Sequence, residues 1–340
     1  MVKIVNIKDI ARKAQVSVAT VSHVINRTRF VSDELIKRVE QTMIDLDYQP
    51  NLLAGSLRKK KTSTIGLIIP DSSNMIFAEV SKNIENILFS RNYNVIVCNS
   101  SYDINREREH LKTLRSKMVD GVLIAPATLE GEHLEKFKNI GIPIVILDRT
   151  LPDINIDMIV ADNYRGGHDA AKYLVSLGHT IIGYVDRIYD LPHSLERKNG
   201  FIKALKEKGI LLNNEDNIVR GGITFNDGVE ASKKILKKNP RITAIFSFND
   251  INALGAIRGL TELGLKVPKD VSVVGYDDIP LSSIYIPSLT TVHYPVSEMA
   301  KEASKLLLKR IAEPIFKKAS RIVIPNELII RESTANVKIN

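Results

Sequence analysis

The chain has 340 residues, with 48 Lys and Arg against 39 Asp and Glu, 44% hydrophobic residues, one Cys and no Trp. A domain runs to roughly 100–200 residues, so this length predicts two or three modules, each with its own core, and excludes disulfide scaffolds, collagen-like repeats, coiled-coil rods and wholly disordered chains. The amino terminus, MVKIVNIKDI, is too polar for a secretory signal, and no apolar run approaches the ~20 residues that span a bilayer, so a cytoplasmic protein is expected.

The basic excess is concentrated. Residues 1–61 hold 12 Lys and Arg against 6 Asp and Glu, a net +6, while the rest of the chain carries only +3. A basic footprint at one end suits a phosphate backbone, although charge alone also permits an anionic membrane or an acidic protein as partner.

Residues 6–48 read as three short helices. Asn6 is placed to cap the first, with Asp9 at its third position and Ile7, Ile10, Ala11 and Ala14 as its apolar stripe. Ser17 is placed to cap a second helix over about 18–25, and the link Ala14-Gln15-Val16-Ser17 has the length of a helix-turn-helix connection. Ser32 is placed to cap a third, with Asp33 and Glu34 in its first turn and Leu35, Ile36, Val39, Met43 and Leu46 facing inward. On the second helix Val18, Ala19, Thr20, Ser22 and His23 are short enough to approach base edges, and Arg29 just beyond it can reach phosphate or guanine.

Between Pro50 and Lys61 the sequence is PNLLAGSLRKKK. Leu52, Leu53, Ala54 and Leu57 form a short amphipathic segment that Gly55 weakens by about 1 kcal/mol relative to Ala. Such a segment orders only against something. A leucine wedge in a bent minor groove is one reading, and an interdomain linker with a solvated basic end is the other.

These motifs carry a resemblance. NIKDIARKAQVSVATVSHVINRTRFVS at 6–32, with LLAGSL at 52–57, resembles the lac/purine/ribose repressor family of bacterial transcription regulators, and GYDDIP and FVS are most similar to the ribose repressor. The resemblance implies that the helix starting near Ser17 reads the major groove and that Leu57 is the minor-groove wedge. The implied DNA-binding set is Ser17, Val18, Ala19, Thr20, Ser22, His23, Asn26, Arg29, Leu57 and Arg58. Where this chain has Gly55, most relatives carry Arg or another longer residue.

From Thr62 onward β-branched runs alternate with amphipathic stretches. Strands are expected at 64–70, 94–98, 121–126, 142–148 and 159–162, with helices at 75–91, 105–117 and 131–139. The rhythm restarts with helix 164–177, strand 181–185, helices 195–208 and 226–238, strand 243–247, helix 251–263 and strand 271–275, giving two largely parallel sheets with a cleft at their strand carboxyl ends. TTVHYP at 290–295 leads to helix 296–311, and RIVIPNELIIRES at 321–333 supplies two late strand-like runs, so that several crossings join the two halves. Cys98 in NVIVC reads as a buried strand thiol.

The resemblance extends over DGVLIAP, GGHDAAKYLVSLGH, ERKNGF, FSFNDINALGAIRGL and VPKDVSVVGYDDIP, which are like the repressors' inducer-binding domain, itself similar to periplasmic sugar-binding proteins. It implies an all-α helix-turn-helix headpiece (1–49) with a hinge helix and linker (50–61), joined to an α/β periplasmic-binding-protein-like core (62–340). The core's first subdomain would comprise 62–162 and about 294–324, and its second about 163–290 and 325–340.

Polar residues at the expected strand ends and helix starts are suited to a multihydroxyl ligand. Asp71, Ser72, Asn74 and Arg149 belong to this group. The expected effector contacts are Ser73, Phe77, Asp148, Arg197, Asn249, Asp250 and Asp277, with Phe77 as an apolar wall and Arg197 and Asp277 favoured by the family pattern. The expected effector is a small sugar, ribose by name, which would release the DNA. A purine corepressor is the alternative, set against it by Leu191 at the place of a purine-contacting arginine and Ile76 in place of an aromatic. A receptor without DNA function is a further alternative.

No cofactor is expected. No phosphate loop, zinc helix, nucleophile elbow or dinucleotide fingerprint occurs, and the seven histidines are scattered, so neither an enzyme nor a metal site is expected. Reading a palindrome requires a homodimer. Helix 75–91 and the face near 101–118 are candidate contact surfaces, with Ile84, Leu88 and Leu114 also explicable as sheet packing.

Overall fold

The computed structural model describes residues 5–48, 61–187, 192–212, 216–313 and 318–337. The hinge segment with Gly55, Leu57 and Arg58, and Leu191, lie outside the described residues. Two compact units, Met1–Thr62 and Ser63–Asn340, make up the chain.

The first unit contains α1 (Ile7–Lys13), α2 (Val18–Asn26) and α3 (Asp33–Asp45). A complete capping box starts α1: the Asn6 side chain accepts from the Lys8 amide at 2.9 Å, and Asp9 accepts from the Asn6 amide at 3.1 Å. Gln15, in the left-handed region at φ +54°, turns the chain, and Ser17 Oγ accepts the Thr20 amide at 3.0 Å to start α2. Ser32 occupies the N-cap position of α3 but its side chain caps nothing, so Asp33 and Glu34 are the acidic groups that meet the helix's positive end. Ile10, Ala11, Ala14, Val21 and Val39 form the small core.

The second unit holds two six-stranded sheets. The first is built from β1 (Thr64–Ile69), β2 (Asn94–Asn99), β3 (Gly121–Ile124), β4 (Ile144–Leu147), β5 (Asp157–Ala161) and β11 (Arg321–Ile324), in the order β11-β5-β4-β3-β1-β2, all parallel. Helices α4 (Met75–Phe89), α5 (Ile104–Ser116), α6 (Glu132–Asn139) and α12 (Val296–Ala312) cover it. Strand β1 shows why the pattern works. Ile65, Leu67 and Ile69 meet Phe77, Ile84 and Leu88 of α4 on one face, while Ile68 meets Leu111 and Leu114 of α5 on the other. A strand buried on both faces reads as a continuous apolar run.

The second sheet, in the order β12-β10-β9-β8-β6-β7, contains β6 (Ile182–Arg187), β7 (Ile218–Gly221), β8 (Ala244–Ser247), β9 (Ser272–Asp277), β10 (Thr290–His293) and β12 (Glu327–Ile329). Among the described residues, its single antiparallel pairing is β10 with β12. Around it lie α7 (Asn163–Ser176), α8 (Pro192–Glu207), α9 (Phe225–Lys238), α10 (Asp250–Glu262) and the short α11 (Pro280–Ile284). The chain crosses between the sheets after β5, after β10 and after β11.

Strand β7 and helix α11 were not among the expected elements. Strand β7 is a four-residue edge strand with Arg220 exposed, too short for an alternation to register. Cys98 is only partly buried, because β2 is an edge strand. Ile84, Leu88 and Leu114 are wholly buried under the sheet, whereas Met75 and Phe89 of α4, Val97 of β2 and Met118 in the turn after α5 are exposed.

Candidate functional site

In the headpiece, Val21 is buried in the core, while Ser17, Val18 and Ala19 at the start of α2 are exposed. Helix α2 has no acidic residue in its first turn, leaving the positive end of its dipole available to phosphate. Thr20, Ser22, His23 and Asn26 are half-buried and Arg29 is exposed. Several of these side chains have local partners: Ser17 Oγ lies 2.9 Å from Thr20 Oγ1, His23 Nδ1 lies 2.8 Å from Thr28 Oγ1, and Asn26 donates to the Ser22 carbonyl at 2.9 Å. Phe30, beside Arg29, is 96% exposed.

In the large unit, the carboxyl ends of both sheets converge on one cleft. From the first sheet and its helices come Asn74, Ile76, Phe77, Tyr102, Asp148 and Arg149. From the second come Arg187, His193, Arg197, Ile223, Phe248, Asn249 and Asp277, with Tyr294 from the crossing after β10.

Arg197 is held through both terminal nitrogens of its guanidinium. Its guanidinium donates to the Phe248 carbonyl and, at 3.0 Å, to Asn163 Oδ1, and it lies 4.0 Å from Asp277. Its place depends on glycine. A Cβ on Gly167 of α7 would overlap the Arg197 carbonyl, and one on Gly200 would overlap that of Tyr164, so only glycine lets α7 and α8 meet backbone to backbone.

Asp148 follows β4 in the left-handed region at φ +66°, accepts a short hydrogen bond from the Tyr294 hydroxyl, and lies 4.0 Å from His193 Nδ1. Burial pushes the Asp148 and Asp277 carboxyls up, against the pull of Arg149 on the first and Arg197 on the second; Asp277 rises well above the usual range. Burial, reinforced by the cationic Arg149, Arg197 and Arg187, holds His193 well below its ordinary value, so this imidazole is neutral. Arg187 lies over the Tyr102 ring, 5.4 Å from its centroid. The cleft thus presents guanidinium donors, two carboxyl groups that burial pushes up and a Phe77 wall.

Among the expected contacts, Phe77, Asp148, Arg197, Asn249 and Asp277 line this cleft. Ser73 does not; it is exposed and its hydroxyl donates to Asp71 at 2.7 Å. Asp250 is a correction as well. It is fully buried and accepts from the Ile279 amide (2.9 Å), Ser282 Oγ (2.7 Å) and Thr291 Oγ1 (2.5 Å), which makes it a bracket for α11 and β10. Arg187, His193, Tyr102 and Tyr294 are cleft residues that sequence reasoning missed, although Arg187 at a strand end carried the same signal as Asp148. Among the described residues, no group of three His, Cys, Asp or Glu is placed to hold a metal ion, and no helix is long and apolar enough to cross a membrane.

Comparison with known proteins fits both halves. Residues 6–51 match the family model for bacterial regulatory proteins of the lacI family, and 171–334 match that for a periplasmic binding protein-like domain. The HTH-type transcriptional repressor PurR of Vibrio vulnificus is 38% identical over 332 residues, 97% of this chain and 99% of the relative. A LacI family transcriptional regulator from Enterococcus faecium with bound ribose superposes with a TM-score of 0.73 at 32% identity, covering 81% of this chain and all of that one. The lac repressor dimer bound to operator and an anti-inducer gives a TM-score of 0.88 at 27% identity, covering 98% of this chain and all of that one. The expected special kinship with the ribose repressor is overturned: curated relatives matching across at least nine-tenths of the chain are purine repressors.

Proposed function

From the premise that the chain belongs to the lacI family of bacterial regulatory proteins, we propose that it is a repressor that binds a palindromic operator as a homodimer and whose affinity for that operator is set by a small molecule in the cleft. That it is a DNA-binding transcriptional regulator with a ligand-binding domain follows from the family itself, and the family and fold are those of non-catalytic regulators. The observation that carries the proposal is the capped start of α2, where Ser17, Val18 and Ala19 are exposed and Val21, one turn on, is buried in the core. Short side chains at the amino end of such a helix can enter a major groove, and the basic excess of residues 1–61 supplies phosphate attraction. Action on DNA places the protein in the cytoplasm.

The purine repressors among its relatives support a purine base as effector, acting as a corepressor that strengthens operator binding. A sugar is the second reading. It is favoured by the cleft's lining, where Arg149, Arg187 and Arg197 alternate with Asp148, Asp277 and Asn249, a pattern suited to adjacent hydroxyls, and by the ribose held by the E. faecium regulator. Titrating the full-length protein onto a labelled palindrome with guanine, adenine or ribose present separates the two. Tightening by a purine supports the corepressor, and weakening by ribose supports sugar release.

A further inference from the structure

Helix α5 carries a charge where its apolar stripe belongs. Leu111 and Leu114 face the sheet, and Glu107, one turn earlier, is buried with them to 0% exposure. A carboxylate survives in such a place only if its oxygens are satisfied. Oε2 accepts the Ala127 amide at 2.6 Å, and Oε1 lies 2.6 Å from Nε2 of His133 on α6. The carbonyl of the same residue is also bound: it accepts from Arg149 Nη1 at 3.3 Å. Arg149 is 1% exposed and lines the cleft. One residue's backbone therefore joins a carboxylate outside the cleft to a guanidinium inside it.

We propose that Glu107 is a positioning residue for the effector site, fixing the Ala127 peptide and through it the guanidinium of Arg149. This rests on the reading of the cleft as the effector site. A buried charge in an apolar stripe is a local conflict with the packing rule, and such conflicts are retained where they serve a site. Orientation of a contacting group by a hydrogen-bonded neighbour behind it is a general requirement of tight sites.

The test uses the full-length protein and the variants Glu107→Met, which keeps the volume and removes the acceptor, Glu107→Gln, which keeps an acceptor for the Ala127 amide, Arg149→Lys, and the Met/Lys double variant. Affinities for guanine and for ribose are measured by calorimetry. Glu107→Met and Arg149→Lys should each weaken the bound probe about tenfold, Glu107→Gln should recover to within about threefold, and the double variant should be no more than about twofold weaker than Arg149→Lys. Losses that multiply in the double variant, or wild-type affinity in Glu107→Met, overturn the proposal. Unchanged affinity in Arg149→Lys would instead remove the cleft reading beneath it. Should Glu107→Met not fold, His133→Ala is read the same way, with a loss of about threefold expected and none contradicting the proposal. A crystal structure of Glu107→Met or His133→Ala decides independently of any probe: Arg149 Nη1 should have left the Ala127 carbonyl, and a retained contact overturns the assignment.

Discussion

The guanidinium of Arg197 lies 3.2 Å from the centroid of the Tyr276 ring. That stack stands on the crossings between the two sheets. The Tyr276 hydroxyl donates to Asn163 Oδ1 at 3.2 Å and accepts from Asn326 Nδ2 at 3.0 Å, and Arg197 donates to the same Asn163 oxygen. Asn163 begins α7 after the first crossing and Asn326 lies between β11 and β12 on the third. Arg197, which lines the cleft, thereby touches one of the three crossings at Asn163 and, through Tyr276, is linked to a second at Asn326. A ligand that binds one rotational state better than another shifts the equilibrium by that difference.

Tyr276→Phe keeps the ring under Arg197 and removes the link between Asn163 and Asn326. It should cost about 1–2 kcal/mol in urea unfolding. The ratio of operator affinities with and without saturating effector should change at least about threefold. An unchanged ratio would detach this network from coupling.

Asp250→Ala should destabilise the protein by about 3 kcal/mol, because three donors lose their acceptor in a dry core. Burial raises this carboxyl to about 6. The folded protein then holds its proton where the unfolded chain, near 3.9, has lost it, so this group's contribution to stability falls as pH rises from about 4 to 6. The wild-type minus Asp250→Asn stability difference should decline across that window; a difference that rises would reverse the assignment.

Arg310→Met tests the anchoring of α12. Arg310 donates through Nε and Nη2 to Asp157 at 2.7 and 2.8 Å, and the Ser320 amide donates to the same carboxylate at 2.8 Å. Removing the cation leaves a buried carboxylate short of charge compensation, a loss of about 3–5 kcal/mol by chemical denaturation. A loss under about 1 kcal/mol would mean that the pair is screened like a surface contact.

His293 and Asp278 give a pH dependence of definite sign. Their side chains lie 3.0 Å apart, and Arg331 Nη2 donates to Asp278 at 2.7 Å. The hydrogen bond to Asp278 raises the His293 pKa, so its stabilisation is full below the unfolded value near 6.5 and is lost as pH rises through the folded value. Burial opposes ionisation of Asp278, but its bonds to His293 and Arg331 prevail and lower its pKa, so its contribution is present above about 4 and lost on acidification. The stability gap between wild type and His293→Asn should therefore be wider at pH 6 than at pH 8.5. A gap independent of pH would contradict the pairing.

The headpiece was legible because its signals are local. The Asn6–Asp9 capping box and the Ser17–Thr20 cap span four residues each, and both form as spaced. The αβ rhythm was legible because strands buried on both faces are apolar throughout. The cleft was less so. Tyr294 and Asp148 are 146 positions apart and meet only because the chain returns after β10. Asp250 and Asp277 both follow a strand or start a helix, and only the distant partners Ile279, Ser282 and Thr291 make the first a bracket rather than a lining group. Short shared strings such as GYDDIP point to the ribose repressor, whereas the relatives that match over the whole length are purine repressors.

The most direct test of regulated DNA recognition is fluorescence anisotropy of the full-length protein on a palindromic operator and on a scrambled duplex, across salt and with guanine, adenine or ribose. The account predicts binding to the palindrome at least about a hundredfold tighter than to the scrambled duplex at physiological salt, with one of these small molecules shifting that preference. Equal affinity for both duplexes at every salt concentration, unaffected by any of the three, would contradict it.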